Sequence, residues 1–169
     1  MNAVEDHPFK AFVPANANKL IIGSFPGRQH TQGMANDEAW FYGAKRNQFW
    51  QILSAVFEVQ INKKTTKQQV LAQHQIAITD IFLKVRRKSN NNLDENLELV
   101  AYNDHVIRQI LAEQNIQRVF FTSKLVGKHF NTLFPEVAYV DFLPSPSPRF
   151  AQMSLQEKVE IYREKLLEN

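Results

Sequence analysis

Short apolar runs recur along the chain, with helix-length amphipathic segments between them. Leu20-Ile21-Ile22 lies within Lys19–Gly23, and its unbroken apolar character predicts a strand buried on both faces. Further strands are predicted over Ile76–Ile81, Arg118–Thr122 and Val137–Leu143. Apolar residues at 49, 50, 52, 53, 56 and 57 mark one face of a helix over Gln48–Val59. A short helix is expected over Thr66–His74, and apolar positions 106, 107, 110 and 111 predict another over Asn103–Glu113. Lys124–Phe134 continues the alternation, and Ser154–Leu167 closes it with Ser154 and Glu157 at capping-box spacing. Asn90-Asn91-Asn92 reads as a loop. Strands separated by helix-length connections predict an α/β fold: a three-layer α/β/α sandwich with a central, mostly parallel four-stranded sheet. One domain spanning residues 1–169 is expected, with no internal repeat or low-complexity tract.

In such a sheet, ligand loops gather at the carboxyl ends of the strands. Here those ends are Gly23–Gly27, Ile78–Phe82, Thr122–Lys124 and Leu143–Phe150. The first, Gly23-Ser24-Phe25-Pro26-Gly27, is a glycine and proline turn whose backbone a flat or anionic ligand can approach closely. Further along, Tyr42-Gly43-Ala44-Lys45-Arg46-Asn47-Gln48-Phe49-Trp50 supplies aromatic faces and an amide, a combination suited to a nucleobase. In the last, Leu143-Pro144-Ser145-Pro146-Ser147-Pro148-Arg149-Phe150, three prolines alternate with two serines, giving a stiff loop with hydroxyls, a cation and an apolar wedge.

Composition narrows the chemistry. The absence of cysteine excludes disulfides, thiolate nucleophiles and Cys-held metal centres. Histidines at 7, 30, 74, 105 and 129 form no ligand-spaced pair, so neither a metal nor a cofactor is expected. No apolar segment approaches the ~20 residues that span a bilayer, and Met1–Lys10 is polar without a signal-peptide core. A cytoplasmic protein is therefore expected, with monomer as the default state. The net charge of +3 permits a polyanionic partner, although Lys63-Lys64, Lys67 and Arg86-Arg87-Lys88 also read as solvated faces. Lys45-Arg46 differs from these because it lies inside the aromatic segment.

Gly23–Gly27, Tyr42–Trp50 and Leu143–Ser147, in that order and at strand ends, resemble the uracil-DNA glycosylase superfamily, specifically its hypoxanthine-DNA and mismatch-specific branches. The resemblance extends from Lys19 to about Phe150. Mismatch-specific relatives carry a water-directing Asn where this chain has Phe25, whereas the hypoxanthine branch resembles Gly-Ser-Phe-Pro there. That branch places its proposed catalytic Asn in the aromatic segment, matching Asn47. The family's His-Pro is replaced by Ala44-Lys45, Thr122-Ser123-Lys124 replaces an Asn-Gly of many relatives, and the Gly27–Trp40 connection is longer than usual.

The resemblance implies hydrolysis of the N-glycosidic bond of a deaminated base, hypoxanthine or uracil, flipped out of DNA for base excision repair. Extrusion of the base costs a few kcal/mol. Tyr42 is the candidate stacking face, worth ~1–3 kcal/mol per base in comparable sites. Arg149 and Phe150 are candidate wedges, and Ser145 and Ser147 are candidates for flanking phosphates. Gly27 and Lys45 complete the expected DNA contacts. Gly23, with the backbone N–H groups of Ser24 and Phe25, is expected to hold the base. Cleavage passes through an oxocarbenium-like sugar, and an amide such as Asn47 can orient water there. Competing local readings remain: Asn47 as a helix cap, Phe41 and Tyr42 as core aromatics, and Phe49 and Trp50 as the start of a core stripe. Asp80 either faces the cleft or accepts a loop N–H. A Schiff-base step at Lys45 would require a desolvating pocket that the sequence does not reveal, so a monofunctional enzyme is expected. Two other functional classes fit less of the pattern: a catalytically weak nucleic-acid-binding member of the fold, and an α/β enzyme acting on a free nucleotide or nucleoside.

Overall fold

The computed structural model describes residues 2–33 and 36–168. A two-residue strand, β1 (Glu5–Asp6), precedes the first buried strand, β2 (Lys19–Gly23). A short helix α1 (Arg28–Thr31), then α2 (Phe49–Phe57) and α3 (Lys64–Gln73), lead to β3 (Ile76–Asp80). Next come β4 (Phe82–Arg87), a 3-10 turn (Asp94–Asn96) and β5 (Leu97–Tyr102). The chain continues through α4 (Asp104–Glu113), β6 (Arg118–Phe121), α5 (Lys124–Leu133), β7 (Val140–Phe142) and α6 (Leu155–Leu167).

The central sheet has strand order β3-β2-β6-β7, with every neighbouring pair parallel. This is the predicted α/β/α arrangement. Alternation along β2 explains why both faces are covered. Ile21 packs into one core with Phe49, Ile52 and Leu53 of α2 and Tyr162 of α6. Leu20 and Ile22 face the opposite core with Ile107 of α4 and Phe130 of α5. Each such fully buried side chain contributes roughly 1.5–3 kcal/mol of transfer free energy. Register then sets the site: Gly23 lies opposite Asp80, and Ile22 opposite Phe121. Three strand ends therefore open on one edge.

The antiparallel sheet β1-β4-β5 was not anticipated from the sequence. β4 starts one residue after β3 ends, so the chain leaves one sheet and enters the other at Ile81. Its Phe82-Leu83-Lys84-Val85 run hides the strand, because the pairing shifts register between Phe82, Lys84 and Val85 and breaks the period of two. Asn90–Asn92 falls within the connection between β4 and β5. The predicted Val137–Leu143 strand is pared to Val140–Phe142, at the sheet edge with one partner strand. Asn103, expected as the first residue of its helix, instead caps it. The buried Asn103 side chain donates to Thr79 Oγ1 at 3.0 Å and to the Asp80 carbonyl at 2.9 Å, tying down the end of β3. Ser154 and Glu157 form the expected capping box on α6.

Candidate active site

A cavity of about 680 Å³ opens at the carboxyl ends of the parallel strands. Its walls bring together the first loop, the aromatic segment and the proline-serine loop, which lie far apart in sequence. Of the residues singled out from the sequence, Ser24, Phe25, Gly27, Tyr42, Asn47, Ser145, Ser147, Arg149 and Phe150 line it. Gly23 and Lys45 do not: Gly23 is buried behind Tyr42 and Asp80, while Lys45 is exposed outside the wall and its neighbour Arg46 lines the cavity instead.

The first loop is held from behind. A Cβ on Gly23 would stand 2.5 Å from the Tyr42 hydroxyl and 2.6 Å from Asp80 Oδ1, so the missing side chain lets both groups meet the strand end. The Gly23 and Ser24 carbonyls accept the N–H groups of Ile81 and Phe82 at 2.8 and 3.2 Å. Ser24 Oγ donates to Asp94 Oδ1 at 2.7 Å. Pro26 receives its support from β4: buried Arg87 donates through Nη2 to the Pro26 carbonyl at 2.7 Å and through Nε to Glu5 Oε2 at 2.9 Å. Phe25 is half-buried, edge-on to His7 with ring centres 5.4 Å apart. Gly27 ends the loop and caps α1.

In the aromatic segment, Tyr42 adopts a left-handed backbone, φ 55°, strained for a residue with a Cβ. Its ring stacks on Phe49 with centroids 4.0 Å apart and planes 18° apart. Its hydroxyl meets Thr122 Oγ1 at 2.9 Å, across the ends of β2 and β6. Burial, reinforced by the charge of Asp80, pushes this phenol well above the usual tyrosine range, so it stays neutral. Asn47 lines the cavity and also starts α2: its Oδ1 accepts the Phe49 N–H at 2.9 Å, while Gln48 occupies the backbone cap position. Capping and cleft lining thus coexist in one amide. Phe49 and Trp50 are buried, and Trp50 Nε1 donates to the Phe41 carbonyl at 2.8 Å.

The proline-serine loop is locked onto the start of α2 and onto α6. Gln48 N–H donates to the Pro146 carbonyl at 2.9 Å, and the Tyr162 hydroxyl donates to the Pro144 carbonyl at 2.6 Å. Ser145 Oγ accepts from Ser147 N–H and Ser147 Oγ from Arg149 N–H, both at 3.2 Å. Arg149 is exposed, whereas Phe150 is half-buried with Lys158 Nζ 5.5 Å from its ring centre.

Two acids and two histidines in or behind the wall complete the site. Asp80 lines the cavity, and its Oδ2 lies 2.7 Å from His7 Nε2. His7 Nδ1 accepts the Phe9 N–H at 3.0 Å, so Nε2 carries the proton that points at Asp80. Asp94 also lines the cavity. Burial pushes its carboxyl above the usual aspartate range, with the Ser24 hydrogen bond opposing and the charge of Asp80 adding to the rise. His30 lines the wall with both ring nitrogens unpartnered among the described residues, and burial lowers it below the usual histidine range. A strand-end position marked Asp80 in the sequence. Nothing local marked His7, His30 or Asp94, which reach the site only through the fold.

A solution NMR structure from Methanosarcina acetivorans, provisionally assigned as a uracil DNA glycosylase, superposes with a TM-score of 0.73 at 19% identity. The match covers 98% of this chain and 100% of that one, which establishes a shared fold. No curated protein matches the chain significantly. The family model of the uracil DNA glycosylase superfamily matches residues 9–168, taking in all three loop segments. The chain belongs to the uracil DNA glycosylase superfamily.

Proposed function

We propose that the protein is a monofunctional DNA glycosylase that hydrolyses the N-glycosidic bond of a deaminated base, hypoxanthine or uracil, flipped from DNA. The observation that carries this reading is the convergence of the glycine turn, Tyr42, Asn47 and the Ser145–Phe150 loop on one cavity of about 680 Å³. That space suits a flipped nucleoside. Phe49 covers one face of Tyr42, and the base stacks on the remaining surface of that ring. Asn47 is the catalytic amide. Its Oδ1 keeps a second lone pair beyond the Phe49 N–H, and its Nδ2 donates, so the side chain can hold water against C1′. Ser24 and Phe25 supply close backbone to the base, and fixed donors there stabilise the departing anion, while Gly23 makes room behind them for Tyr42 and Asp80.

The acids favour deaminated bases. Asp80 presents an acceptor to the cavity, with its other oxygen taken by His7. A lactam N–H satisfies such an acceptor, whereas the ring lone pair of adenine N1 or cytosine N3 opposes it. Phe25 where a mismatch-specific relative would carry an amide favours the hypoxanthine branch. Lys45, the lysine of the aromatic segment, is exposed and so lacks the desolvation a Schiff-base nucleophile needs, which supports the monofunctional reading.

Single-turnover cleavage of duplex oligonucleotides carrying deoxyinosine, deoxyuridine or deoxyxanthosine tests the proposal. Wild type is expected to release at least one of these bases, and Asn47→Ala to slow release by roughly 10²-fold or more, the scale for losing one transition-state group. Duplex binding with no release from any substrate would leave a binding module. Equal rates for wild type and Asn47→Ala would remove Asn47 from the chemistry.

A further inference from the structure

Lys158 of α6 is 1% exposed, yet its ammonium meets no carboxylate within 4.0 Å among the described residues. Its Nζ donates to Gln48 Oε1 at 2.8 Å and to the Ser147 carbonyl at 3.2 Å, and the Phe150 ring covers it at 5.5 Å. A buried cation with only neutral partners is costly, and burial lowers Lys158 below the usual lysine range. Two neutral acceptors offset only part of that cost. Tyr162, one turn along the same helix, already fastens the loop at Pro144 without a charge. Stability alone therefore does not account for the ammonium.

The adjoining hydroxyls indicate what it serves. Ser145 Oγ and Ser147 Oγ each use a lone pair on a backbone N–H, and neither O–H has an acceptor among the described residues. Two hydroxyl donors on a proline-stiffened loop, with a cation bonded to the Ser147 carbonyl of that loop, suit an anionic oxygen pair. The other contact of the cation, Gln48, follows Asn47 directly and gives its own N–H to Pro146 of the same loop.

We propose that Lys158 is a positioning residue that supplies the fixed positive charge beneath a phosphodiester seat formed by the Ser145 and Ser147 hydroxyls, and that it holds this seat in register with Asn47. The inference rests on the glycosylase reading for the identity of the anion, a DNA backbone phosphate beside the flipped nucleotide. Because Phe150 and the loop shield the ammonium from solvent, its attraction for that phosphate is screened less than that of a surface lysine. The same contacts couple the grip on the phosphate to the placement of Asn47.

Binding of the full chain to a duplex containing a tetrahydrofuran abasic analogue, across a series of salt concentrations, provides the test. Lys158→Met keeps the buried stem and removes the charge. It is expected to weaken binding about tenfold and to make the slope of log K against log salt shallower by about 0.9, the share of one phosphate contact. Lys158→Arg is expected to preserve the slope. In a cycle with Ser147→Ala, the double variant is expected to bind no more weakly than the weaker single one. If both Lys158→Met and Lys158→Arg lose affinity with an unchanged slope, the lysine is only packing and the proposal falls. It falls equally if Lys158→Met binds like wild type, or if the two losses in the cycle simply add. Should Lys158→Met fail to fold, Lys158→Arg and Ser147→Ala decide: a shallower slope for Lys158→Arg, or wild-type affinity for Ser147→Ala, would overturn the proposal. Wild type that binds the abasic duplex no better than an undamaged one would fail the glycosylase reading itself, a result separate from all of these.

Discussion

At the scale of single residues, the site depends on polar groups whose usual behaviour is altered by burial. Asp94 is the clearest case. Its folded carboxyl is raised above the ordinary aspartate range, chiefly by desolvation, so the native state binds the proton more tightly than the unfolded chain does. The stability associated with that proton is fully present below the unfolded value of ~3.9 and is lost as pH rises through the raised folded value. Asp94→Asn retains an acceptor for Ser24 and removes the buried charge. It is expected to raise Tm at pH 7 and to give a smaller gain as pH falls towards about 4. Calorimetry over that range checks this, and a gain that grew towards acid would reverse the assignment. A retained acid that costs stability at neutral pH is what a base-reading wall would contain.

At the scale of elements, the small antiparallel sheet acts as a buttress for the edge that carries the cavity. β1 supplies Glu5, β4 supplies Arg87, and together they pin the Pro26 carbonyl, while the connection from β4 towards β5 brings Asp94 to Ser24. Replacing Arg87 with Met leaves the nearly buried Glu5 carboxylate without its guanidinium partner, a loss of about 3–5 kcal/mol. Each kcal/mol lowers Tm by roughly 2–4 °C in a chain of this size. Thermal denaturation should show that fall. Amide exchange at Ser24, Phe25 and Gly27 should quicken more than exchange in β6, because Pro26 loses its anchor. Uniform quickening across the sheet would mean that Arg87 supports the fold in general and not the loop.

At the scale of the whole molecule, the parallel sheet and its helices present the three loop segments at one edge, with Arg46 and Arg149 in the cavity wall. With a net charge of only +3, attraction to DNA has to come from local placement more than from total charge. Binding to undamaged duplex is therefore expected to fall with salt at a log-log slope of about −0.9 per phosphate contact. Fluorescence anisotropy at several salt concentrations measures it. A slope near zero would remove DNA as the partner and turn attention to a free nucleoside.

Legibility in the sequence followed the reach of each signal. The strand cores, the α2 stripe and the α6 cap were readable because hydrophobic periodicity and capping act within a few residues. The three loop segments were readable because proline fixes the backbone, glycine frees it for close turns and serine hydrogen-bonds it locally. β4 was not, since a register shift broke its alternation, and β5, which alternates only between half-buried and exposed positions, is created by pairing with β4 across the Asn90–Asn92 loop. The sequence by itself determined the α/β class, the parallel order of layers and the chemistry available at each strand end. Tertiary structure alone decided that His7 meets Asp80, that Asp94 meets Ser24, that Arg46 and not Lys45 faces the cavity, and that Lys158 lies beneath Ser147. Those contacts join residues 11 to 73 positions apart in three of the four cases, or turn on which side of one short segment a side chain leaves the backbone. No local pattern encodes either.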